Sequence, residues 1–113
     1  MPFIDCKLSQ KLTEDRKESL KTELGKAVSI IHKPESYLMV GINDGYSLYF
    51  AGKKLDNGAY VSVSIFGSAP SASYEKMTKT ICDVLEKDLG INGAEVYVTY
   101  HAVDDWGWDG ANF

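Results

Sequence analysis

The sequence predicts an α+β fold in which a β-α-β unit occurs twice, giving one four-stranded sheet with both helices on one face. First, two stretches with a helical repeat of apolar residues each lie between two short apolar stretches typical of strands. Second, an offset of 58 residues superimposes the second half of this pattern on the first. Third, 113 residues with 44% hydrophobic content can build one core and not two. We therefore expect a single domain, residues 1–113, with pseudo-symmetric halves and right-handed crossovers.

The first β-α-β unit begins at the N-terminus. Residues 2–8 alternate loosely between apolar and polar side chains and predict a strand. Thr13 can cap the helix that follows, whose apolar stripe continues at helical spacing to Ile31. Pro34 disfavours helical backbone in the residue before it, so we expect the helix to end near Ile31. Residues 37–42 are largely apolar and predict the second strand.

The second unit repeats the first with stronger signals. Residues 59–66 alternate cleanly and predict a strand, and the Gly, Ser and Pro residues of 67–73 predict a loop. Apolar side chains spaced four residues apart predict a helix over 73–89, which Gly90 can terminate. Residues 95–101 predict the last strand of the sheet.

One face of the predicted sheet has no helix to cover it. Because valines and serines alternate within 59–66, they lie on opposite faces, and the uncovered face is not entirely polar. Two further segments, 46–50 and 104–113, resemble short edge strands available for contacts between chains. An uncovered sheet with open edges favours a partner, so we infer self-association of like subunits around an axis.

Composition argues against two classes of partner. The net charge is −4, from 12 basic and 16 acidic side chains, and Arg16 is the only arginine. Binding to nucleic-acid phosphates needs clustered Lys and Arg, so we expect no nucleic acid. No apolar run approaches the roughly 18 residues that a membrane span needs, so we expect no membrane insertion.

The cysteines and the N-terminal residues bear on chemistry and compartment. Cys6 and Cys82 are 76 residues apart and belong to no Cys/His cluster. We therefore expect two free, buried thiols and no metal site. Residues 1–5 lack the basic and apolar regions of a signal peptide, which makes the cytosol the expected compartment.

Pro2 is the most unusual candidate for chemistry. Cells generally remove an initiator Met before a residue as small as proline, which would leave a secondary amine at the tip of a buried strand. Burial lowers the pKa of an α-amino group from its ordinary value of about 7.7–8, so the amine could serve as a general base near neutral pH. Alternatively, Pro2 only sets the start of the chain.

Three more side chains have both a functional and a structural interpretation. Lys33 could hold a carboxylate beside the N-terminal amine, or it could be a cation favoured at a helix C-terminus. Tyr97 could donate its phenol to a developing oxyanion, or it could be a half-buried aromatic of the sheet. Trp108 could line an aromatic pocket or anchor an interface.

Taken together, the motifs and their order resemble the macrophage migration inhibitory factor family of the tautomerase superfamily, essentially from end to end. The residues that carry the resemblance are Met1-Pro2, the run from Lys33-Pro34 to Tyr37, Ser64 to Gly67, Leu89-Gly90-Ile91, Val96-Tyr97-Val98, and Trp106 to Gly110. The resemblance implies a homotrimer of β-α-β-β-α-β subunits and an active site between subunits. It also implies cofactor-free keto–enol tautomerisation of a small aromatic 2-oxo acid such as phenylpyruvate, or of dopachrome.

The resemblance also implies roles for particular residues. Pro2 would be the acid/base, and Lys33 would hold the carboxylate or carbonyl of the substrate. A backbone N–H would add a hydrogen bond, and the sequence leaves open whether Ile65 or Phe66 supplies it. Tyr97 would come from the neighbouring subunit. The aromatic part of the pocket would be lined by Tyr37 and Trp108.

One departure and one alternative function accompany the resemblance. The best-known members carry Asn where this chain has Thr99, so substrate contact would fall there to a shorter, single-donor side chain. The alternative function is a cytokine-like trimer that binds a protein receptor and has vestigial or no catalysis. Members of the family can be secreted without a signal peptide, so an extracellular location is the alternative to the cytosol.

Overall fold

The computed structural model describes residues 1–113. In chain order the elements are β1 (Pro2–Leu8), α1 (Glu14–Ala27), β2 (Met39–Asn43), β3 (Tyr49–Phe50), β4 (Lys53–Lys54), β5 (Ala59–Phe66), α2 (Ser71–Leu89), β6 (Val96–Val103), β7 (Gly107–Trp108) and β8 (Ala111–Asn112).

The predicted pair of β-α-β units is present. The main sheet has the strand order β2-β1-β5-β6. Each unit forms a parallel pair, β1 with β2 and β5 with β6, and the two units join where β1 lies antiparallel to β5. The α+β fold class, with a four-stranded mixed sheet, two helices and short additional strands, is therefore confirmed.

The core lies between the helices and one face of the sheet. Burial alternates residue by residue along β1 and β5, as the sequence pattern predicted. One cluster of 18 residues joins both helices to the sheet, and its fully buried large side chains include Ile4, Leu8, Leu20, Leu24, Ile65, Met77, Ile81 and Leu85. Burying each such side chain stabilises the fold by about 1.5–3 kcal/mol before entropic costs. The opposite face of the sheet has no helix on it.

The first helix and second strand differ from the predicted bounds. The Thr13 hydroxyl accepts a hydrogen bond from the Arg16 N–H, which confirms the predicted N-cap. The α-helix ends at Ala27, and Val28–Ile31 continues as a tighter 3₁₀ turn. A second 3₁₀ turn, Glu35–Tyr37, occupies the beginning of the predicted strand, so β2 starts at Met39.

The second half and the edge segments also differ in detail. The helix α2 begins at Ser71, earlier than predicted, because Pro70 stands in extended backbone immediately before its first turn. The strand β6 extends to Val103. The segments predicted as edge strands do contain strands, but these form two separate hairpins, β3 with β4 and β7 with β8, and do not pair with the main sheet.

Cys6 lies in the core as predicted, whereas Cys82 is only partly buried. Burial raises the pKa of the Cys6 thiol to about 12. Neither helix combines the length and apolar character needed to cross a membrane.

Candidate active site

The start of β1 lies at the end of the sheet, in contact with the end of β5. Pro2 is buried and stands opposite Ile65 in the antiparallel register. The carbonyl of Met1 accepts a hydrogen bond from the backbone N–H of Phe66, over 2.9 Å. Because successive N–H groups of a strand point to opposite sides, the N–H of Ile65 points toward β6. Of the two candidate donors, Phe66 is therefore the one directed at the N-terminal residue.

Lys33 lies beside this junction. Its Nζ donates a hydrogen bond of 2.9 Å to the carbonyl oxygen of Phe66. The left-handed backbone of His32, with φ 62°, ends the 3₁₀ turn after α1 and redirects the chain so that the lysine reaches the end of β5. The ammonium is thus held near both the amine terminus and the Phe66 N–H.

The N-terminal amine has a perturbed acidity. Burial lowers its pKa below the ordinary value, and the positive charge of Lys33 lowers it further. In this structure the amine belongs to Met1. The nitrogen of Pro2 is a tertiary amide while Met1 is attached, so it has no lone pair available for accepting a proton.

A cavity of about 740 Å³ opens in front of the N-terminus. Its walls come from the first residues of β1, the turn before β2, and the segment between β6 and β7. Its 13 lining residues are Met1, Pro2, Phe3, Ser36, Tyr37, Leu38, Met39, Ser64, Val103, Asp105, Trp106, Gly107 and Trp108. That volume is within the range of small-molecule sites, which are mostly apolar with a few polar groups.

Aromatic rings form one wall of the cavity. Tyr37 and Trp108 meet edge to face, with ring centroids 6.2 Å apart. Trp108 also stacks on Phe113 at 6.0 Å, and Phe113 lies 5.7 Å from Phe66. The hairpin of β7 and β8 therefore brings the end of the chain back over the start of the sheet, and a planar aromatic ligand would fit against this wall.

Of the predicted site residues, Pro2, Tyr37 and Trp108 line the cavity. Lys33, Ile65 and Phe66 do not line it but lie at the adjoining end of β5.

Tyr97 and Thr99 lie further away. Tyr97 is 64% exposed and packs on Phe50, with centroids 5.4 Å apart. The register places Ala102 level with Pro2 across the sheet. Tyr97 is five residues from that level and Thr99 three, which corresponds to about 17 Å and about 10 Å along the strand. Within one chain these two side chains do not reach the cavity.

Thr99 takes part in a polar chain on the uncovered face. Its hydroxyl lies 2.7 Å from the Tyr60 hydroxyl and 3.1 Å from Nε2 of His101. Tyr60 is in register with Tyr97, and alternate residues of a strand share a face, so Thr99 and His101 lie on the same face as Tyr60. This is the face of the sheet that carries no helix.

Sequence reasoning missed several lining residues. Phe3, Met39 and Ser64 lie at the start or end of strands on the uncovered face, and their alternation with buried neighbours was a usable signal. Asp105, the only acidic side chain lining the cavity, and Phe113, on the rim, had no comparable signal. Their positions depend on how the C-terminal hairpin folds back.

Comparison with known proteins points to one family. A sequence model of macrophage migration inhibitory factor matches residues 1–113. A macrophage migration inhibitory factor homolog of Trichinella spiralis is 30% identical over the full length of both chains. The crystal structure of MIF2 from Leishmania major has a TM-score of 0.92, 29% identity, and coverage of 100% of this chain and 97% of its own. A macrophage migration inhibitory factor-like protein of Entamoeba histolytica gives a TM-score of 0.88 at 27% identity, covering 99% and 98%.

Proposed function

The chain belongs to the macrophage migration inhibitory factor family, and on that premise we propose that it is a cofactor-free keto–enol tautomerase. Its substrate is a small aryl 2-oxo acid of the phenylpyruvate type. Its catalytic group is the secondary amine of Pro2 after removal of Met1. The functional unit is a homotrimer in which each site combines residues of two subunits.

The observation that carries this proposal is the position of the N-terminus. The first residues line an aromatic cavity of about 740 Å³, next to the backbone N–H of Phe66 and the ammonium of Lys33. Removal of Met1 would create the amine and would leave the Phe66 N–H without its carbonyl partner. The amine would then face the cavity, and the Phe66 N–H and the Lys33 ammonium would lie beside it where β1 meets β5, an arrangement that suits an anionic substrate whose carbonyl must be polarised.

The proposed reaction moves one proton. The Pro2 nitrogen accepts a proton from the carbon next to the carbonyl, and the electron pair of that C–H bond forms the new C=C bond. The carbonyl π pair moves to oxygen, where the charge is stabilised by the Phe66 N–H and by the phenol of Tyr97 from the neighbouring subunit. Pro2 returns the proton to this oxygen, giving the enol. The reverse sequence gives the keto form, and no oxidant or cofactor enters the balance.

The ring and carboxylate of the substrate have separate positions in this proposal. Lys33 holds the carboxylate or carbonyl, and the aryl ring lies against the wall formed by Tyr37 and Trp108. Burial would lower the pKa of the Pro2 amine, as it lowers the pKa of the terminal amine of Met1, and the charge of Lys33 would lower it further. A neutral amine with a pKa near the working pH is an efficient general base.

The experiment that tests the proposal is turnover of enolised phenylpyruvate by processed protein and by Pro2→Gly. Intact mass first establishes that Met1 is absent from both proteins. We expect the substitution to lower kcat/KM by at least about a hundredfold, the usual size of a lost general acid/base. The matched control is Pro70→Gly, which alters a proline before α2 that does not line the cavity. Equal rates for wild type and Pro2→Gly would remove Pro2 from the mechanism.

A second candidate function is protein binding by a trimer with little or no catalysis. It is favoured by the aromatic side chains exposed away from the cavity, among them Tyr49, which is 66% exposed on β3. Thr99 in place of the family's Asn also leaves the substrate one amide donor fewer. A processed, trimeric protein that fails to turn over any aryl 2-oxo acid would favour this alternative.

A further inference from the structure

The hydroxyl of Thr99 is shared between two partners on the uncovered face of the sheet. The Tyr60 oxygen lies 2.7 Å away and Nε2 of His101 lies 3.1 Å away. A threonine hydroxyl has one proton to donate and lone pairs to accept two bonds. What Thr99 can offer to a third group therefore depends on which of its two neighbours donates.

The protonation of His101 decides this directionality. A neutral imidazole with its proton on Nδ1 presents Nε2 as an acceptor, which takes the Thr99 proton while the phenol of Tyr60 donates to the Thr99 oxygen. Thr99 then has no proton left for a ligand. A protonated imidazole donates from Nε2, so Thr99 accepts from both neighbours and its own proton is free.

We propose that His101 is a positioning residue for ligand binding, which controls through Thr99 whether the site offers a hydroxyl donor to an anionic substrate. The inference rests on the proposed function in one respect: Thr99 is taken to face the ligand bound by the neighbouring subunit. The family's Asn has an amide N–H₂ group that donates at every pH. Under this proposal, the hydroxyl of the Thr99 that replaces it donates to a ligand only when His101 is protonated.

Few other charged groups lie near the hydrogen-bonded polar chain of Tyr60, Thr99 and His101. The uncovered face carries Asp5 and Lys7 of β1, which pair with each other at 2.6 Å, and the phenols of Tyr60 and Tyr97. Both helices pack on the other face and contribute none. The β3–β4 hairpin, whose Phe50 packs on Tyr97, carries Lys53 and Lys54. The acidic residues that follow β6 are Asp104 and Asp105, beyond Val103. Of all these groups, only Tyr60 hydrogen-bonds within the polar chain that contains His101.

The test measures binding of an unreactive anionic aryl ligand, 3-phenylpropanoate, to processed protein through tryptophan fluorescence, since both tryptophans, Trp106 and Trp108, line the cavity. Measurements are made near pH 5.5 and near pH 8, the span within which imidazoles in general change charge. We expect wild type to gain about fivefold more affinity on acidification than His101→Gln, the worth of one neutral hydrogen bond. Glutamine keeps a polar side chain that does not titrate. The matched control is Thr78→Val, which removes a threonine hydroxyl bonded to Tyr100 on the helix-covered side of the sheet and should retain the wild-type dependence.

Thr99→Val separates the proposal from simple charge attraction. A protonated imidazole attracts an anion whether or not the hydroxyl is present, whereas the proposal needs the hydroxyl. We expect Thr99→Val to lose the same fivefold component as His101→Gln. Retention of the full pH dependence by Thr99→Val would overturn the proposal, as would nitrogen chemical shifts that place the proton of neutral His101 on Nε2.

Failure of the inference and failure of the proposed function give different results. If Pro2-dependent turnover is present and all variants share one binding profile, the inference falls and the tautomerase remains. If turnover is absent while the pH dependence of ligand affinity differs between wild type and variants as expected, the proposed tautomerase activity is rejected. The proposed anion site controlled by the Thr99 hydroxyl is then retained. Identical profiles without turnover overturn both.

Discussion

Lys33 links the charge of the candidate site to the acidity of the N-terminal amine. Its ammonium is one of the two causes that lower the pKa of the N-terminal amine. Removing it raises that pKa, so the amine of Pro2 would be protonated up to a higher pH and would lose its capacity as a base there. We expect Lys33→Ala to move the acidic limb of the kcat/KM profile to higher pH. The acidic limb reports the free enzyme and is separable from the weaker substrate binding that the variant should also show.

The control for this prediction is Lys26→Ala, which removes a lysine from the last turn of α1, where it pairs with Glu23 at 3.5 Å. It changes net charge equally and should leave the acidic limb in place. An unshifted limb in Lys33→Ala would show that this lysine does not act on the catalytic amine.

Met1 is predicted to block the site in two ways. It converts the Pro2 nitrogen to an amide, and its carbonyl occupies the Phe66 N–H. Protein that retains Met1 should therefore show less than about a hundredth of the processed activity and should regain it after treatment with a methionine aminopeptidase. Mass spectrometry follows the removal in the same sample. Full activity of the unprocessed chain would contradict the role of a free amine.

At the scale of single residues, the candidate site residues chosen from the sequence are those with a local signal, and three of them, Pro2, Tyr37 and Trp108, line the cavity. Pro2 follows an initiator Met, Lys33 comes shortly after the helical stripe that ends at Ile31, and Tyr37 and Trp108 stand in recognisable runs. The direction of the Phe66 N–H could not be predicted, because it depends on the register between β1 and β5. The polar chain through Thr99 could not be predicted either, because it joins Tyr60 and Thr99, which are 39 residues apart in sequence.

Among the elements, α2 has a terminus that depends on one glycine. Gly90 adopts φ 66°, and the N–H groups of Gly90 and Ile91 donate to the carbonyls of Glu86 and Leu85. A Cβ at Gly90 meets no atom within 4 Å, so its cost is the left-handed backbone alone. We expect Gly90→Ala to lower the free energy of unfolding by about 1 kcal/mol.

Gly93 is the matched control for this prediction. A Cβ there also meets nothing within 4 Å, but its φ is not in the left-handed region. Gly93→Ala should leave the free energy of unfolding unchanged or raise it slightly, because alanine restricts the unfolded chain. Urea unfolding at one fixed subunit concentration measures both variants. An equal loss in the two would mean that the αL conformation is not what Gly90 supplies.

The existence and type of the main elements followed from hydrophobic period, whereas their ends did not. The stripe to Ile31 describes correctly which side faces the core, yet the last turn is 3₁₀ and not α. Over only four residues, an α-helix and a 3₁₀ helix place the same apolar residues on one face. The hydrophobic period therefore cannot distinguish the two kinds of helix in so short a segment. The hairpin of β7 and β8 could not be predicted from the sequence either, because its strands have only two residues each.

For the whole molecule, a trimer would explain both the uncovered sheet face and the distance of Tyr97 and Thr99 from the cavity. Tyr97 and Thr99 project from that face about 17 Å and about 10 Å from the level of Pro2, while the cavity at Pro2 is open on one side. Closed rotation of like subunits would bring the Tyr97 end of one chain to the Pro2 end of the next. We expect a trimeric mass in solution at micromolar concentration, measured by light scattering, and a monomer would exclude a site shared in this way.

Shared sites predict complementation between two inactive variants. Pro2→Gly lacks the base, and Tyr97→Ala lacks the phenol, whose loss should cost about a hundredfold in kcat. If the two are unfolded together in equal amounts and refolded as mixed trimers, about one quarter of the sites should pair an intact Pro2 with an intact Tyr97. Activity should then rise to about a quarter of wild type, whereas variants refolded separately and then mixed should gain nothing. Because a site within one chain cannot be rebuilt by mixing chains, no gain in the mixed trimers would place Tyr97 outside the catalytic site.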